Sequence, residues 1–391
     1  MKFAAVTERL KGLGSDKWAV HIEGKRRQAL GDELIFLSIG EPDALAPKAV
    51  MDVADRQMRA GRTRYSSGRG EPEVLKALSA MYSRRTGRTV TENQFLFQPG
   101  TQSALCTAFW GIVDLGDEVL LPDPYYATYE GVIAAAGGIP VPVRTDPDRG
   151  FHLDRDDLLR HITPKTRALL LNTPGNPTGT VFTRDEIMAI GETCAKHDLW
   201  IVSDEVYATL TYGNTVFVSP FDDPRFADRT IVVSSVSKSH AMPGFRCGWI
   251  AASEETCERL LPLAETMLFG SQPFLEDATA FALSNQFPEV DAMKQNYERR
   301  ARALVAGIAG AKTLSARMPE GGMFVMLDVR KTGLSGEDFA RRLLAEENVV
   351  TMPGESFGAG GAGHVRVALT VDEAQITEAC KRIRRLADRL A

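Results

Sequence analysis

Lys238 stands in the run Ser234-Ser235-Val236-Ser237-Lys238-Ser239-His240, directly after an apolar stretch and eight residues before Arg246. A lysine among small hydroxyl side chains at a strand end is placed to be held in a cleft, where a lowered pKa frees its amine to form a Schiff base. Taken alone, it reads equally as a surface lysine. Asp204 ends the apolar run Trp200-Ile201-Val202-Ser203. It fits a helix cap or a solvated turn acid, and also a buried carboxylate that keeps a pyridine nitrogen protonated. Asn172-Thr173-Pro174-Gly175-Asn176-Pro177-Thr178-Gly179 is turn chemistry after another apolar run, but an asparagine between two prolines can also donate to a phenolate oxygen. Pro99-Gly100-Thr101-Gln102-Ser103 opens a helix, and the free N–H groups and positive dipole end of a helix start suit a phosphate.

These segments need a scaffold that presents strand ends side by side. From about Phe95, short apolar runs alternate with longer helical patterns, as in strands joined by crossover helices in a mainly parallel sheet. The expected strands are Phe95–Phe97, Glu118–Leu121, Ile139–Val143, Ala168–Leu171, Trp200–Ser203, Ile231–Ser234 and Trp249–Ala252. Several are apolar throughout, as strands buried on both faces should be. Thr183-Arg184-Asp185-Glu186 is a capping box opening a helix to about His197. After roughly Asn285 the pattern predicts a smaller α+β unit: a charged helix around Tyr297–Arg302, a strand at Met323–Val329, a helix near Gly336–Glu347, strands at Val349–Met352 and His364–Ala368, and a C-terminal helix. The first forty-odd residues hold no complete sheet unit and read as an arm with a segment packed on it.

Composition narrows the function classes. The 391 residues, at roughly 150 per domain, suggest two or three domains. With 44% hydrophobic and 25% charged residues and a net charge of -5, the chain offers no overall attraction to nucleic acid or anionic lipid. Five scattered cysteines without a C-x-x-C pair fit neither a disulfide framework nor a thiolate metal site, and point to a reducing cytoplasm. The N-terminus carries no signal-peptide core, and no window reaches the ~20 apolar residues of a membrane span. The six histidines show no metal-ligand spacing, and neither a nucleophile elbow nor a P-loop occurs. Gly358-Ala359-Gly360-Gly361-Ala362-Gly363 matches a dinucleotide fingerprint literally, but a strand-like run follows it instead of a helix, so a flexible loop is expected.

The series G-T-Q, N-P-T-G, D-x-x-Y and S-x-S-K with its later arginine, in this order, resembles the pyridoxal-phosphate-dependent aminotransferases of fold type I, class I/II, over about Ser38 to Thr370. The resemblance implies a three-layer α/β/α large domain with a mainly parallel sheet (45–284), a smaller α+β domain (285–391) and an N-terminal arm that joins it (1–44). It implies ping-pong transfer of an amino group from an L-amino acid to a 2-oxo acid through a Lys238 aldimine. Asp204 would pair with the pyridine nitrogen, and Asn176 and Tyr207 with the ring phenolate. Gly100, Thr101, Gln102, Ser235, Ser237 and Arg246 would hold the phosphate, Tyr126 would stack on the ring, and Tyr65 would reach the phosphate of a neighbouring subunit in a homodimer. Arg366 would grip the substrate α-carboxylate beside the Gly40 backbone. No metal is implied.

For the substrate, dicarboxylate-specific relatives carry a lysine where this chain has Thr101, and the usual pattern has an aromatic at the position of Ala44, so a roomier pocket mouth is expected. Ser237–Met242, Met267–Ser271 and Gly321–Met326 with Thr332–Ser335 resemble the arginine–pyruvate transaminase branch, which implies arginine or another amino acid with a long side chain as donor and pyruvate or 2-oxoglutarate as acceptor. Glu41, Asp43 and Asp16 are the acids available to read a basic side chain. Aspartate or aromatic amino acids as donors, and lyase or oxidase chemistry with the same cofactor, are the alternatives.

Overall fold

All seven apolar runs are strands of one sheet in the computed structural model of the chain, which describes residues 1–390 and leaves the side chains of Ser15 and Asp16 outside the description. Across the sheet the order is Phe95–Gln98, Gly248–Ala251, Thr230–Ser235, Trp200–Asp204, Thr166–Asn172, Glu118–Asp123 and Ile139–Arg144. Only Gly248–Ala251 runs antiparallel to its neighbours. Burial on both faces explains the continuous apolar runs. Leu169 and Leu171 pack on one side with Ile187 and Ile190 of the helix Arg184–Lys196, while Ala168 and Leu170 pack on the other with Phe109 and Ile133. The edge strand Ile139–Arg144 differs: it is half-exposed and carries Pro140 and Pro142. Both prolines have the parity that faces away from the sheet, so no ladder bond is lost and the open edge cannot recruit another strand.

The helices start where their caps dictate. Thr183 and Glu186 form the expected capping box, with Thr183 Oγ1 accepting from the Glu186 N–H and Glu186 Oε2 from the Thr183 N–H. Asp372 caps Glu373–Asp388, whose Ile376, Ala379, Cys380, Ile383, Leu386 and Ala387 recur at helical spacing and are all buried.

The remaining elements build a second core. His364–Ala368 lies between Met352–Pro353 and Phe324–Asp328, all antiparallel, with Ser315–Ala316 at the far edge. Val20, Ile35 and Leu37 from the N-terminal segment pack into the same core as Leu304, Phe339, Leu343 and Ile376. The run read as one strand, Val349–Met352, is divided at the buried Thr351: Val349–Val350 pairs in parallel with Ile35–Phe36, whereas Met352–Pro353 pairs with His364–Ala368. The Gly358–Gly363 segment is not the free loop expected. It forms the short 3-10 turn Ala359–Gly361, directly after another at Gly354–Phe357, buries Gly360 and Gly361, and donates the Gly360 N–H to Asp123 Oδ2 at 2.8 Å. Six residues with small or no side chains let the backbone press against Asp123.

One buried charge beneath the sheet end is held by the fold alone. Glu205, 1% exposed, accepts from Arg85 Nη1 at 3.0 Å and Ser203 Oγ at 3.0 Å, and also from Ser219 Oγ. Removing one partner of a buried pair leaves an uncompensated charge. Arg85→Met is expected to cost about 3–5 kcal/mol at neutral pH. Burial already pushes the Glu205 carboxyl up, so the loss should shrink at acidic pH, where a protonated Glu205 carries no charge, and grow as pH rises. Urea unfolding of both proteins at pH 5 and pH 8 checks this, and equal midpoints at pH 8 would refute it.

Candidate active site

A cavity of about 450 Å³ lies at the carboxyl ends of the central strands, where open α/β sheets place ligands. It gathers Thr101, Gln102, Tyr126, Asn176, Asp204, Tyr207, Ser235, Ser237, Lys238 and Arg246 from the large sheet and its connections, Arg366 from the smaller sheet, and Gly40 from the N-terminal segment. Two of the expected residues stand apart from its wall. Gly100 lies behind Arg246, and Tyr65 is 85% exposed with its ring edge-on to Phe269 at 5.9 Å. Ala44 packs against the smaller core and is not on the wall, so it does not widen the mouth as its small size had suggested.

Lys238 sits in the single turn Val236–Ser239, which follows the strand Thr230–Ser235 without a loop. Ser235 Oγ caps that turn by accepting from the Ser237 N–H. The lysine Nζ donates to the Gly40 carbonyl at 2.5 Å. Desolvation lowers its pKa to about 8; Arg366 and Arg246 push the same way and Glu41 opposes them. A substantial fraction is therefore neutral amine near physiological pH, able to act as nucleophile or base. His240, two residues on, is packed: its Nδ1 meets Ser239 Oγ at 2.8 Å, and burial lowers its pKa to about 4.

Asp204 ends the central strand and is 4% exposed. Oδ2 accepts from the Tyr129 hydroxyl at 2.7 Å and Oδ1 from the Val206 N–H at 3.2 Å, and desolvation still raises its pKa to about 6. A carboxylate held this way favours a cationic N–H partner, whose charge would offset the burial cost. Tyr207 is buried, which raises its pKa and keeps it a protonated donor.

Arg366 is the largest fully buried side chain of the described residues, at 1% exposure. Its guanidinium lies between the rings of Phe324 and Phe357, at 4.2 and 4.5 Å from their centroids. Nη1 donates to Asn176 Oδ1 at 2.8 Å and Nη2 to the Ser38 carbonyl, while Nε has no partner. A buried, stacked guanidinium with an unused N–H is built to receive a carboxylate. Gly40 has to be glycine because a side chain there would run into the Phe324 ring.

The helix Thr101–Ile112 begins at Gly100, whose φ of 87° favours glycine. Arg246 turns back onto it from a left-handed backbone (φ 53°), donating to the Pro99 carbonyl at 3.3 Å and the Pro243 carbonyl at 2.8 Å. Helix N–H groups, the guanidinium and the Ser235 and Ser237 hydroxyls make an anion cradle, within which Thr101 Oγ1 is buried without a partner.

Sequence reasoning missed Tyr129, Phe324, Phe357 and Trp18. Tyr129, three residues after Tyr126, opens the helix Tyr129–Ala136, a signal too weak to assign alone. The two phenylalanines are core-like in sequence and acquire a role only by flanking Arg366. Trp18 lines the cavity. Of the three acids considered for a basic substrate, Asp43 is taken by Arg300 in a two-pronged pair at 2.7 and 2.9 Å, Glu41 lines the cavity, and the Asp16 side chain lies outside the described residues.

With this geometry in hand, likeness to known proteins is informative. The chain is 39% identical to arginine–pyruvate transaminase AruH of Pseudomonas aeruginosa, covering 98% of this chain and 97% of that one. Its fold matches an aspartate aminotransferase from Thermus thermophilus solved with maleate (TM-score 0.92, 31% identity, 99% of this chain and 100% of the other). It likewise matches an aromatic aminotransferase from Pyrococcus horikoshii (TM-score 0.89, 30% identity, 94% and 100%). Residues 32–383 match the family described as aminotransferase class I and II. A strand-end lysine, a buried acid and a stacked arginine around one cavity thus stand in a fold shared with transaminases along its whole length, and the chain belongs to the class I and II aminotransferases.

Proposed function

We propose that this aminotransferase uses pyridoxal phosphate to move the amino group of an L-amino acid with a long, basic side chain onto pyruvate or 2-oxoglutarate. The observation that carries the reading is the convergence on one cavity of Lys238, Asp204 and Arg366, each with its charge destabilised by burial. The chemistry of the donor set fits the cofactor: an anion cradle with an unpartnered Thr101 hydroxyl for a phosphate, and an acid lacking a cation for a pyridine nitrogen. Bound there, pyridoxal phosphate supplies an electron sink that weakens the bonds at the amino acid Cα.

The chain's own residues do the rest. Gly100, Thr101 and Gln102 present the helix start to the phosphate, with Ser235, Ser237 and Arg246 completing its shell. Asp204, oriented by Tyr129, holds the ring N–H. Asn176, whose Oδ1 is occupied by Arg366, has its amide N–H groups left to donate, and Tyr207 donates beside it. Tyr126 flanks the ring. Arg366 and the Gly40 backbone would orient the substrate α-carboxylate, and Lys238 Nζ, free as an amine once the substrate is bound, would be the group that takes up and gives back the Cα proton. Donor and acceptor use the same site in turn.

The same reading divides the chain into an arm at 1–44, a large domain at 45–284 and a small domain at 285–391, supported by the shared core of Val20, Ile35 and Leu37 with the C-terminal elements. It takes the protein to be a homodimer in which the exposed Tyr65 reaches the neighbouring subunit's phosphate. The five free cysteines support a cytoplasmic setting. Among the described residues no helix is long and apolar enough to cross a membrane, and no three or more His, Cys, Asp or Glu side chains cluster as metal ligands would.

Three outcomes are expected. Purified protein should show a visible absorbance band from the lysine-bound cofactor that Lys238→Ala abolishes; protein that takes up no pyridoxal phosphate sinks the proposal. Uptake by cofactor-free protein should accelerate as pH rises through about 8, since only the unprotonated Lys238 amine reacts; a midpoint near the ordinary lysine value would contradict the burial argument. Arg366→Lys should lower kcat/KM by ~10²-fold or more, because an ammonium cannot make the two-pronged pair that orients the substrate. Unchanged efficiency would mean the carboxylate is held elsewhere.

A further inference from the structure

Glu41 and Trp18 line the same cavity as the groups assigned to cofactor and α-carboxylate, without themselves being among those groups. Glu41 follows Gly40, is exposed, and makes no hydrogen bond or ion pair with any described residue. The other acid on the wall, Asp204, is buried and bonded to Tyr129, and Asp43 is consumed by Arg300. Glu41 is thus the wall carboxylate without a hydrogen-bonded or ion-paired partner among the described residues, its charge felt by Lys238 only through space. The cations on the wall, Lys238, Arg246 and Arg366, all have work at the inner end, and Thr101 adds none. Outside the groups already assigned, the wall offers an incoming side chain a negative charge, Glu41, and no further positive one.

Trp18 adds an aromatic face. Its indole packs against Ala127, Met352 and Phe357 and also lines the cavity. The backbone beside it is anchored: the Lys17 carbonyl accepts from Ser356 Oγ at 2.8 Å, and Lys17 Nζ donates to the Ala127 carbonyl at 3.2 Å and pairs with Glu130. A fixed indole attracts a planar cation over its ring, and a carboxylate within the same cavity supplies the charge-assisted hydrogen bonds.

We propose that Trp18 and Glu41 form the subsite that reads the cationic side chain of the amino donor, a guanidinium in preference to an ammonium. This rests on the transamination of a long, basic donor proposed above. A guanidinium suits the pair because it stacks on the indole and presents paired N–H donors to a carboxylate, whereas an ammonium is more strongly hydrated and lacks the planar fork. An uncharged side chain of equal length gains neither contact.

The test compares L-arginine with L-citrulline, which has the same length but no charge, on wild type, Glu41→Gln and Trp18→Leu, with the cofactor absorbance band recorded to verify a loaded site. Wild type should favour arginine, and each variant should lower the arginine-to-citrulline ratio of kcat/KM, by about tenfold or more for Glu41→Gln. High salt should reduce the ratio in wild type and leave it flat in Glu41→Gln. If wild type takes arginine and both ratios stay unchanged, the subsite is wrong and the donor reading stands. If wild type transaminates alanine but neither uses nor is inhibited by arginine, the donor reading and the subsite fall together.

Discussion

A chain of polar contacts ties the central strand of the large sheet to the smaller sheet, and the active-site geometry hangs on it. Asn172 ends the strand next to Asp204, donates its amide to the Asp204 carbonyl at 3.0 Å and accepts the Asn176 N–H at 2.7 Å. Asn176 in turn accepts from Arg366 at 2.8 Å, and Arg366 donates to Ser38 in the N-terminal segment. Each group is largely out of water, so each bond is strong and each loss would strand a buried partner. The chain sets the separation of Asp204 and Arg366 from opposite sides of the cavity.

The apolar framework makes such placement possible. Strands buried on both faces leave their carboxyl ends as the positions where polar side chains can gather without breaking the core. Lys238, Asp204 and Asn172 all stand at or just beyond such ends. Arg366 arrives differently, from a strand of the smaller sheet, and its charge is tolerated because two phenylalanine rings and two oxygen acceptors replace water around it. The N-terminal segment serves both units: the Leu37 carbonyl accepts from the Ala368 N–H at 2.8 Å, the Ile39 carbonyl accepts from Thr370 Oγ1 at 2.9 Å, and Gly40 then brings its carbonyl to Lys238.

Much of this was legible in the residues. Periodicity found every strand of the large sheet to within a few residues, and the Thr183 box located a helix start. Strand-end position singled out Lys238, Asp204 and Asn176 before any contact was known. The failures share a cause. Val349–Met352 reads as one strand because pairing partners leave no mark on a short apolar run, and Gly358–Gly363 reads as a free loop because the pressure of Asp123 against it comes from a residue over two hundred positions away. Nor could residue type tell Asp43 from Glu41: two acids in one motif differ only in that Arg300 of a distant helix reaches one of them.

The sequence by itself determined the kind of fold and the inventory of reactive groups, because alternation of apolar runs and local turn and cap chemistry act between residues near in the chain. Only the tertiary structure decided which groups meet and in what electrical state. Lys238 is an ordinary lysine until burial beside two arginines removes water from it, and Asp204 an ordinary aspartate until Tyr129 and the sheet enclose it. Desolvation and pairing depend on neighbours brought in from elsewhere in the chain, and those forces turn the residue list into a site.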